Sequence, residues 1–240
     1  MSKILIFISL LCSTLLLKAT TPVQKDGVSG NFDLGINFTK NTESTFQFNN
    51  VFLVNYTKGR SNFSLGNNMA FISKTGEENL LNKGTQDFKY ALNYNKFNTN
   101  ITVQHLYDIS RSIKNRYASG IGLSYNLTDK DDKKLGMGLS ALREKEIPLE
   151  GEYKLQNRLS AHVDFMLKLT EHISLTTSNQ YQPSIKEAGD FRWTTNISLR
   201  INLNAQFLLI VNSTFNYDSF PEAEIPETDY QLINSISYTF

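Results

Sequence analysis

Tyr230-Gln-Leu-Ile-Asn-Ser-Ile-Ser-Tyr-Thr-Phe240, the stretch that ends the chain, alternates between apolar and polar residues. One side of the alternation carries Leu232, Ile236, Tyr238 and Phe240, and the other carries Gln231, Ser235, Ser237 and Thr239. Ile233 and Asn234 are the two exceptions. A period of two residues indicates a β-strand with one apolar face and one polar face.

A strand of this kind at a chain terminus needs a partner, because its free edge would otherwise pair with other chains. Pairing with the first strand of a closed membrane barrel removes that edge. A terminal Phe after apolar residues at alternate positions resembles the closing strand of bacterial outer-membrane barrels. We therefore interpret Ile236, Tyr238 and Phe240 as the barrel-closing signal, and we expect the barrel-assembly machinery to insert the chain.

The composition fits a membrane β-barrel and excludes several other classes. The formal net charge of the 240 residues is +1, so neither nucleic acid nor an acidic partner is predicted. The mean hydropathy is slightly negative, which suits a barrel in which only alternate residues meet lipid. The 16 Phe and 11 Tyr residues against 5 Pro favour strands.

An apolar run over residues 4–17, between Lys3 and Lys18, predicts a secretory signal peptide over residues 1–20. The run is short for a membrane span, although an uncleaved anchor is the alternative. Leu11 before Cys12 argues against a lipoprotein signal. The mature chain, residues 21–240, then has no cysteine, so neither a disulfide nor a thiolate metal site is predicted.

Alternating segments separated by turn residues continue through residues 21–240. They predict an all-β fold, an antiparallel up-and-down transmembrane β-barrel of about twelve strands located in the bacterial outer membrane. The predicted strands cover residues 28–39, 45–58, 62–74, 86–96, 100–108, 117–127, 135–141, 155–169, 173–181, 191–203, 205–217 and 230–240.

The predicted connections alternate in length. Every second connection is a short turn, near Gly59, Asn98, Asp131, Glu171 and Asn204. Five of the six others are longer, including a charged loop over residues 143–152. This asymmetry is typical of outer-membrane barrels, which have short periplasmic turns and longer outer loops.

The apolar faces of the predicted strands carry no Lys, Arg, Asp or Glu, so we expect them to contact lipid. Some polar residues nevertheless share the outward parity, namely Asn50, Asn67, His105, Asn157 and Asn179. Bulges, local register errors and positions near the membrane interface are the three explanations left open by the sequence.

The inward faces of the eighth and tenth strands concentrate charge. The predicted lumen cluster contains Arg158, His162, Asp164, Lys168, Arg192 and Arg200, with Asp33, Asp87 and Lys89 elsewhere around the barrel. One interpretation is a charged constriction that selects small solutes with a mild preference for anions. The other is a paired network that fills a narrow lumen.

An enzymatic alternative rests on His172 and Ser174, which share one face of a strand. Their spacing resembles the His-x-Ser pair of outer-membrane lipid hydrolases, in which the Ser is the nucleophile and the His its base. The pair begins at a predicted periplasmic turn, whereas those enzymes act near the outer leaflet. No cofactor or metal site is predicted, because the acidic residues Glu222, Glu224, Glu227 and Asp229 lack the spacing of a calcium loop.

The mature chain resembles the YdiY-like family of salt-induced outer-membrane proteins, a domain of unknown function. The residues that carry the likeness are Gly30-Asn-Phe-Asp-Leu-Gly, Arg116-Tyr-Ala-Ser-Gly-Ile-Gly-Leu-Ser-Tyr125, Arg158-Leu-Ser and the Tyr-Thr-Phe240 end. The resemblance implies an outer-membrane barrel linked to salt or osmotic stress and supplies no catalytic residues. The predicted function is therefore non-enzymatic, either structural or a narrow passage for small solutes. A secreted soluble β-protein is a further alternative.

Overall fold

Twelve strands form one closed antiparallel barrel in the computed structural model, which describes residues 26–40, 44–74 and 81–240. The strands are β1 (Gly27–Lys40), β2 (Ser44–Lys58), β3 (Ser61–Lys74), β4 (Leu81–Tyr94), β5 (Phe97–Asp108), β6 (Ile113–Asp129), β7 (Lys133–Pro148), β8 (Lys154–Lys168), β9 (Ile173–Pro183), β10 (Phe191–Asn202), β11 (Phe207–Asp218) and β12 (Thr228–Thr239). Each strand pairs with its neighbours in sequence, so the predicted up-and-down barrel is confirmed. The predicted signal peptide, residues 1–20, lies outside the described residues.

The barrel closes between β1 and β12. Ile236 is in register with Leu34, and Tyr238 is in register with Phe32. Beyond the last paired strand residues, the backbones of Gly30 and Phe240 exchange two hydrogen bonds, at 3.0 Å and 3.2 Å. The chain terminus is therefore part of the hydrogen-bonded seam, which pairs Asn31–Leu34 of β1 with Ile236–Thr239 of β12 and closes the barrel.

Gly30 provides the space for this seam. A Cβ atom at Gly30 would lie 2.4 Å from the carbonyl oxygen of Leu53 and 2.8 Å from Cζ of Phe240. The first of these contacts is with backbone, which cannot rotate away. A side chain at this position would therefore push β1 away from its neighbours on both sides.

We expect Gly30→Ala to destabilise the folded barrel by about 1–3 kcal/mol, the usual cost of overpacking. Urea unfolding in detergent micelles, followed by the fluorescence of Trp193, the single tryptophan of the chain, measures the change. Gly136→Ala is the matched control, because its Cβ would meet no described atom closer than 3.5 Å. Equal stability of the two variants would contradict this account of the seam.

Burial in the barrel is the reverse of that in a soluble protein. Within the described residues, the buried apolar side chains are only Ala70, Ala91, Ile113, Pro148 and Ile210. Charged side chains such as Arg158 and Glu144 are buried, whereas Ile121 and Leu123 are 66% and 62% exposed. The large apolar residues therefore lie on the outside of the barrel and the polar ones line its lumen.

The two ends of the barrel differ, and we call them the turn end and the loop end. The turn end carries the connections 59–60, 95–96, 130–132, 169–172 and 203–206, together with Asp26 and Phe240. The loop end carries the described connections 109–112, 149–153, 184–190 and 219–227.

Two predicted connections were wrong in position or extent. The turn expected near Asn98 lies at Asn95 and Lys96, because Asn95 adopts a left-handed conformation with φ of 55°, which Asn tolerates. The charged loop expected over residues 143–152 is mostly strand, since β7 continues to Pro148. The charges of this segment alternate between the two faces of the strand and do not end it.

The outward polar residues form a ladder on the outer face of β2 to β6. Asn67 Nδ2 donates to Asn50 Oδ1 at 3.4 Å, and Gln86 Nε2 donates to Asn67 Oδ1 at 3.1 Å. The His105 ring continues it to Gln86 Oε1 at 2.6 Å and to Asn115 Oδ1 at 2.9 Å. Register between β2, β3 and β4 is regular, so register errors and bulges do not explain Asn50 and Asn67. These cross-strand hydrogen bonds lower the free-energy cost of placing the polar side chains of Asn50 and Asn67 on an apolar face.

The other two outward amides are paired in the same way. Asn157 accepts a hydrogen bond from Arg143 at 3.1 Å, and Asn179 accepts one from Thr195 at 2.9 Å. Both partners lie on the adjacent strand. All five polar residues that departed from the predicted alternation therefore have a polar neighbour on the same face.

Candidate functional site

Seven charged side chains meet in the lumen near the loop end, and we call them the constriction network. They are Arg116, Glu144, Glu146, Arg158, Asp190, Arg192 and Asp218. Six of them belong to strands β6, β7, β8, β10 and β11, and Asp190 ends the connection before β10. The network therefore joins one half of the barrel wall through its interior.

Arg192 makes the contacts that cross the lumen. Its Nη1 donates to Glu144 Oε1 at 2.7 Å, its Nη2 to Glu146 Oε2 at 3.1 Å and its Nε to Asp218 Oδ2 at 3.2 Å. Arg192 lies on β10 and the two glutamates on β7, so β8 and β9 separate them in the wall. Arg116 Nε donates to Glu146 Oε2 at 2.6 Å from the opposite side. Glu146 is thus held between two guanidinium groups.

Arg158 fills the space beside this bridge. Its Nη2 lies 2.8 Å from both carboxylate oxygens of Asp190, and its Nη1 donates to the carbonyl oxygen of Gln182 at 3.0 Å. Arg158 is 1% exposed and Asp190 is 2% exposed. At this level the lumen beside β8 is occupied by paired side chains.

Local sequence explains why β7 supplies both glutamates. Leu139 lies outward and is 55% exposed, and the two-residue period then places Arg143 and Lys145 outward with Glu144 and Glu146 inward. The outward face changes from apolar to basic at Arg143. The glutamates therefore lie above the apolar band, on a part of the strand that extends toward the loop end.

Toward the turn end the lumen opens into a cavity of about 420 Å³. Its lining is rich in amides and hydroxyls, including Asn55, Asn62, Asn93, Asn98, Asn100 and Asn126. The titratable lining residues are Lys89, His162 and Asp164. Asp164 accepts a hydrogen bond from Ser178 at 2.6 Å and lies 3.8 Å from Nε2 of His162. Such a lining can hydrogen-bond small polar solutes without fixing one orientation.

The six residues predicted as one lumen cluster occupy three levels. Arg158 and Arg192 belong to the constriction network, and His162 and Asp164 line the cavity. Lys168 and Arg200 lie nearest the turn end, each in register with Ser174 of β9.

The sequence interpretation missed Arg116, Glu144, Glu146, Asp190 and Asp218, which complete the network. The inward position of the two glutamates could have been read from the sequence, because the two-residue period continues through the segment that was interpreted as a loop. Asp190 ends a connection, where no period applies. Its contact with Arg158 depends on how the connection 184–190 packs against β8.

Two other predicted lumen carboxylates have neutral partners. Asp33 accepts hydrogen bonds from Ser237 and from Asn31, and Asp87 accepts one from Gln104 at 2.6 Å. Asp33 and Ser237 are in register across the β1–β12 seam. These contacts place hydrogen bonds inside the lumen on the side opposite the constriction network.

Two of the acidic residues between 222 and 229 form ion pairs. Glu222 lies 2.6 Å from Nζ of Lys154, and Asp229 lies 3.5 Å from Nζ of Lys83. In the described ranges no group of three or more His, Cys, Asp or Glu side chains is arranged to hold a metal ion. The same part of the chain contains no helix long and apolar enough to cross a membrane.

His172 and Ser174 are not joined by a hydrogen bond. The His172 ring lies in the turn after β8, is largely exposed and has its Nε2 3.4 Å from Glu171 Oε1. Ser174 lies in β9, with its Cα opposite those of Lys168 and Arg200. In the part of the chain that the structure describes, no side chain contacts the Ser174 hydroxyl in a position to take its proton.

Comparison with known proteins places the chain in a family. The sequence profile of DUF481, described as a protein of unknown function, matches residues 32–240. The chain belongs to the DUF481 family. This agrees with the YdiY-like resemblance inferred from the sequence. None of the curated proteins matches the chain.

Several solved barrels resemble this DUF481 protein in outline. The NanC porin aligns at 9% identity over 89% of this chain and 98% of its own, with a TM-score of 0.49. The KdgM porin aligns at 11% identity over 88% and 99%, with a TM-score of 0.48. OmpT of Vibrio cholerae aligns at 7% identity over 91% and 100%, with a TM-score of 0.45. Because the identities are low and the TM-scores are below 0.5, these likenesses say nothing about a solute for the DUF481 chain.

Proposed function

We propose that this protein is a non-enzymatic outer-membrane β-barrel that forms a narrow passage for small polar solutes. The observation that carries the proposal is the lumen, in which a polar cavity at the turn end lies below the constriction network. The network limits the size of what passes, and the amide-rich cavity provides hydrogen bonds for a hydrated or hydroxylated solute.

The membrane location is supported by the reversed burial of the barrel. Large apolar side chains cover its outside, where water would leave them unfavourably solvated and lipid would not. The tight connections and the chain terminus lie at the same end, which in outer-membrane barrels faces the periplasm. Export by the predicted signal peptide is part of this proposal. Cell fractionation, with heat-modifiable gel mobility of the outer-membrane fraction, is the test of location.

Charge in the lower lumen favours a mild preference for anions. Lys89, Lys168 and Arg200 make no ion pair within the described residues, whereas the lumenal carboxylates Asp33, Asp87 and Asp164 each accept a hydrogen bond from a neutral side chain. The constriction network, by contrast, pairs its three arginines with four carboxylates. We therefore assign the preference to the cavity and the turn end, and we assign size selection to the network.

Liposome swelling with purified protein tests the passage. We expect slow swelling in glycerol and none in a trisaccharide, because the constriction network admits only small solutes. Empty liposomes and liposomes with heat-unfolded protein are the controls. No permeation of glycerol by correctly folded protein, together with no ion conductance in bilayers, would leave a structural role instead.

A role in salt or osmotic stress, which the family resemblance implies, forms the physiological part of the proposal. Growth of a deletion strain across a range of salt concentrations tests it. Complementation by the wild-type gene and not by a folded variant with a blocked lumen would link the phenotype to passage.

A further inference from the structure

One arginine of the lumen differs from the others in having no partner. Arg116, Arg158 and Arg192 are each paired with carboxylates. The Nε atom of Arg200 is buried and makes no hydrogen bond, and no other buried side-chain nitrogen or oxygen in the described ranges is left in this state. Buried donors are almost always satisfied in folded proteins, so an orphaned one marks a position for a water, an ion or a ligand.

The surroundings of Arg200 are basic and hydroxylic. Ser174 on β9 is directly opposite Arg200, and Lys168 on β8 is directly opposite Ser174. Directly opposed residues of an antiparallel pair point to the same face, with Cβ atoms roughly 5 Å apart. All three residues therefore face the lumen in one row across three strands.

No negative group neutralises this row. The residue opposite Arg200 on its other side is Ile210, which is buried. The nearest lumenal carboxylate along β8 is Asp164, which is engaged with Ser178. Glu171, in the adjacent turn, lies beside the His172 ring. Two uncompensated cations thus flank one hydroxyl at the open end of the lumen.

We propose that Lys168, Ser174 and Arg200 form a binding site for a small oxyanion, such as phosphate, sulfate or a carboxylate. A guanidinium presents paired N–H donors that match the oxygens of an oxyanion, the ammonium adds a point charge, and the hydroxyl donates a further hydrogen bond. The bound anion satisfies Nε of Arg200. Its role in selecting solutes rests on the proposed passage, whereas the binding itself does not.

Isothermal titration of inorganic phosphate into the purified, folded full-length barrel in detergent tests the site. We expect saturable binding of one phosphate per chain, with sulfate as a competitor. Arg200→Gln is expected to weaken binding at least about tenfold, since it removes charge-assisted hydrogen bonds. Ser174→Ala and Lys168→Gln are expected to weaken it by smaller factors. Lys133→Gln, which changes a turn-end lysine whose Nζ lies 5.8 Å from the ring centre of Phe165, outside the row, is the matched control.

The outcomes separate the site from the passage. Phosphate binding with the expected variant pattern but no permeation would keep the site and remove the passage. Equal weakening by Lys133→Gln and Arg200→Gln would show a general charge effect and overturn the site, as would unchanged binding in Arg200→Gln. If Arg200→Gln does not give the heat-modifiable folded band, Arg200→Lys replaces it and is expected to lose affinity despite keeping the charge.

Discussion

Arg192→Ala is expected to raise the single-channel conductance of the barrel several-fold. The side chain crosses the lumen from β10 to reach Glu144 and Glu146 on β7. Removing it deletes the bridge and leaves space where the guanidinium lay. Planar bilayer recordings on wild-type and variant protein measure the change.

Removal of Arg192 also changes the charge of the constriction network. Glu146 then keeps only Arg116, and Glu144 loses its closest arginine partner and keeps Arg116 at 3.7 Å and Arg158 at 3.9 Å. We therefore expect the reversal potential in a salt gradient to shift toward cation preference. Arg143→Ala is the matched control, because this arginine lies on the outer face and donates to Asn157. An unchanged conductance in Arg192→Ala, in protein shown to be folded, would mean that the network does not limit the passage.

Asp190→Ala is expected to lower the free energy of unfolding by about 3–5 kcal/mol, the cost of breaking a buried ion pair from one side. Arg158 and Asp190 are almost completely buried. The variant leaves the guanidinium with its neutral acceptors on Gln156 and Gln182 and with a single, more distant carboxylate, Glu144 at 3.9 Å. Urea unfolding followed by Trp193 fluorescence measures the loss.

The control for this prediction is an exposed ion pair at the turn end. Lys134 and Asp129 lie 3.1 Å apart with side chains 56% and 53% exposed. Asp129→Asn is therefore expected to change stability by at most about 1 kcal/mol, because solvent screens such a pair. Similar losses in the two variants would contradict the assignment of Arg158 and Asp190 to a buried network.

The sequence allowed the fold to be predicted because lipid imposes a simple rule. A strand with lipid on one side and a polar lumen on the other must alternate, and β8 and β10 do so along most of their length. Closure was predicted from the alternation of residues 230–240, since a strand with one apolar face needs a partner at its edge. The rule fails where a strand leaves the apolar band. Arg143 to Glu146 alternate as regularly as the residues below them, but both faces are charged there, so the segment resembled a loop.

The candidate site was less accessible to sequence reasoning. The parity of Arg158 and Arg192 indicated that both face inward, yet which carboxylates they meet depends on the registers of β7 to β11 and on the closed shape of the barrel. The outer ladder through Asn67, Gln86 and His105 could not be predicted for the same reason, because its hydrogen bonds link residues 17 to 19 positions apart in the chain.

The central claim is that solutes pass through the polar lumen. The most direct test is to introduce a cysteine, label it, and measure whether the label blocks the ion current. The single cysteine of the chain is Cys12 in the predicted signal peptide, so one introduced cysteine reacts alone in the mature protein. Ser124 lines the cavity, and its neighbour Leu123 is 62% exposed on the outer face. In Ser124→Cys, a charged methanethiosulfonate reagent is predicted to reduce the current, and in Leu123→Cys it is predicted to have no effect. A current that is unaffected in Ser124→Cys after complete labelling, or reduced only in Leu123→Cys, would contradict the account.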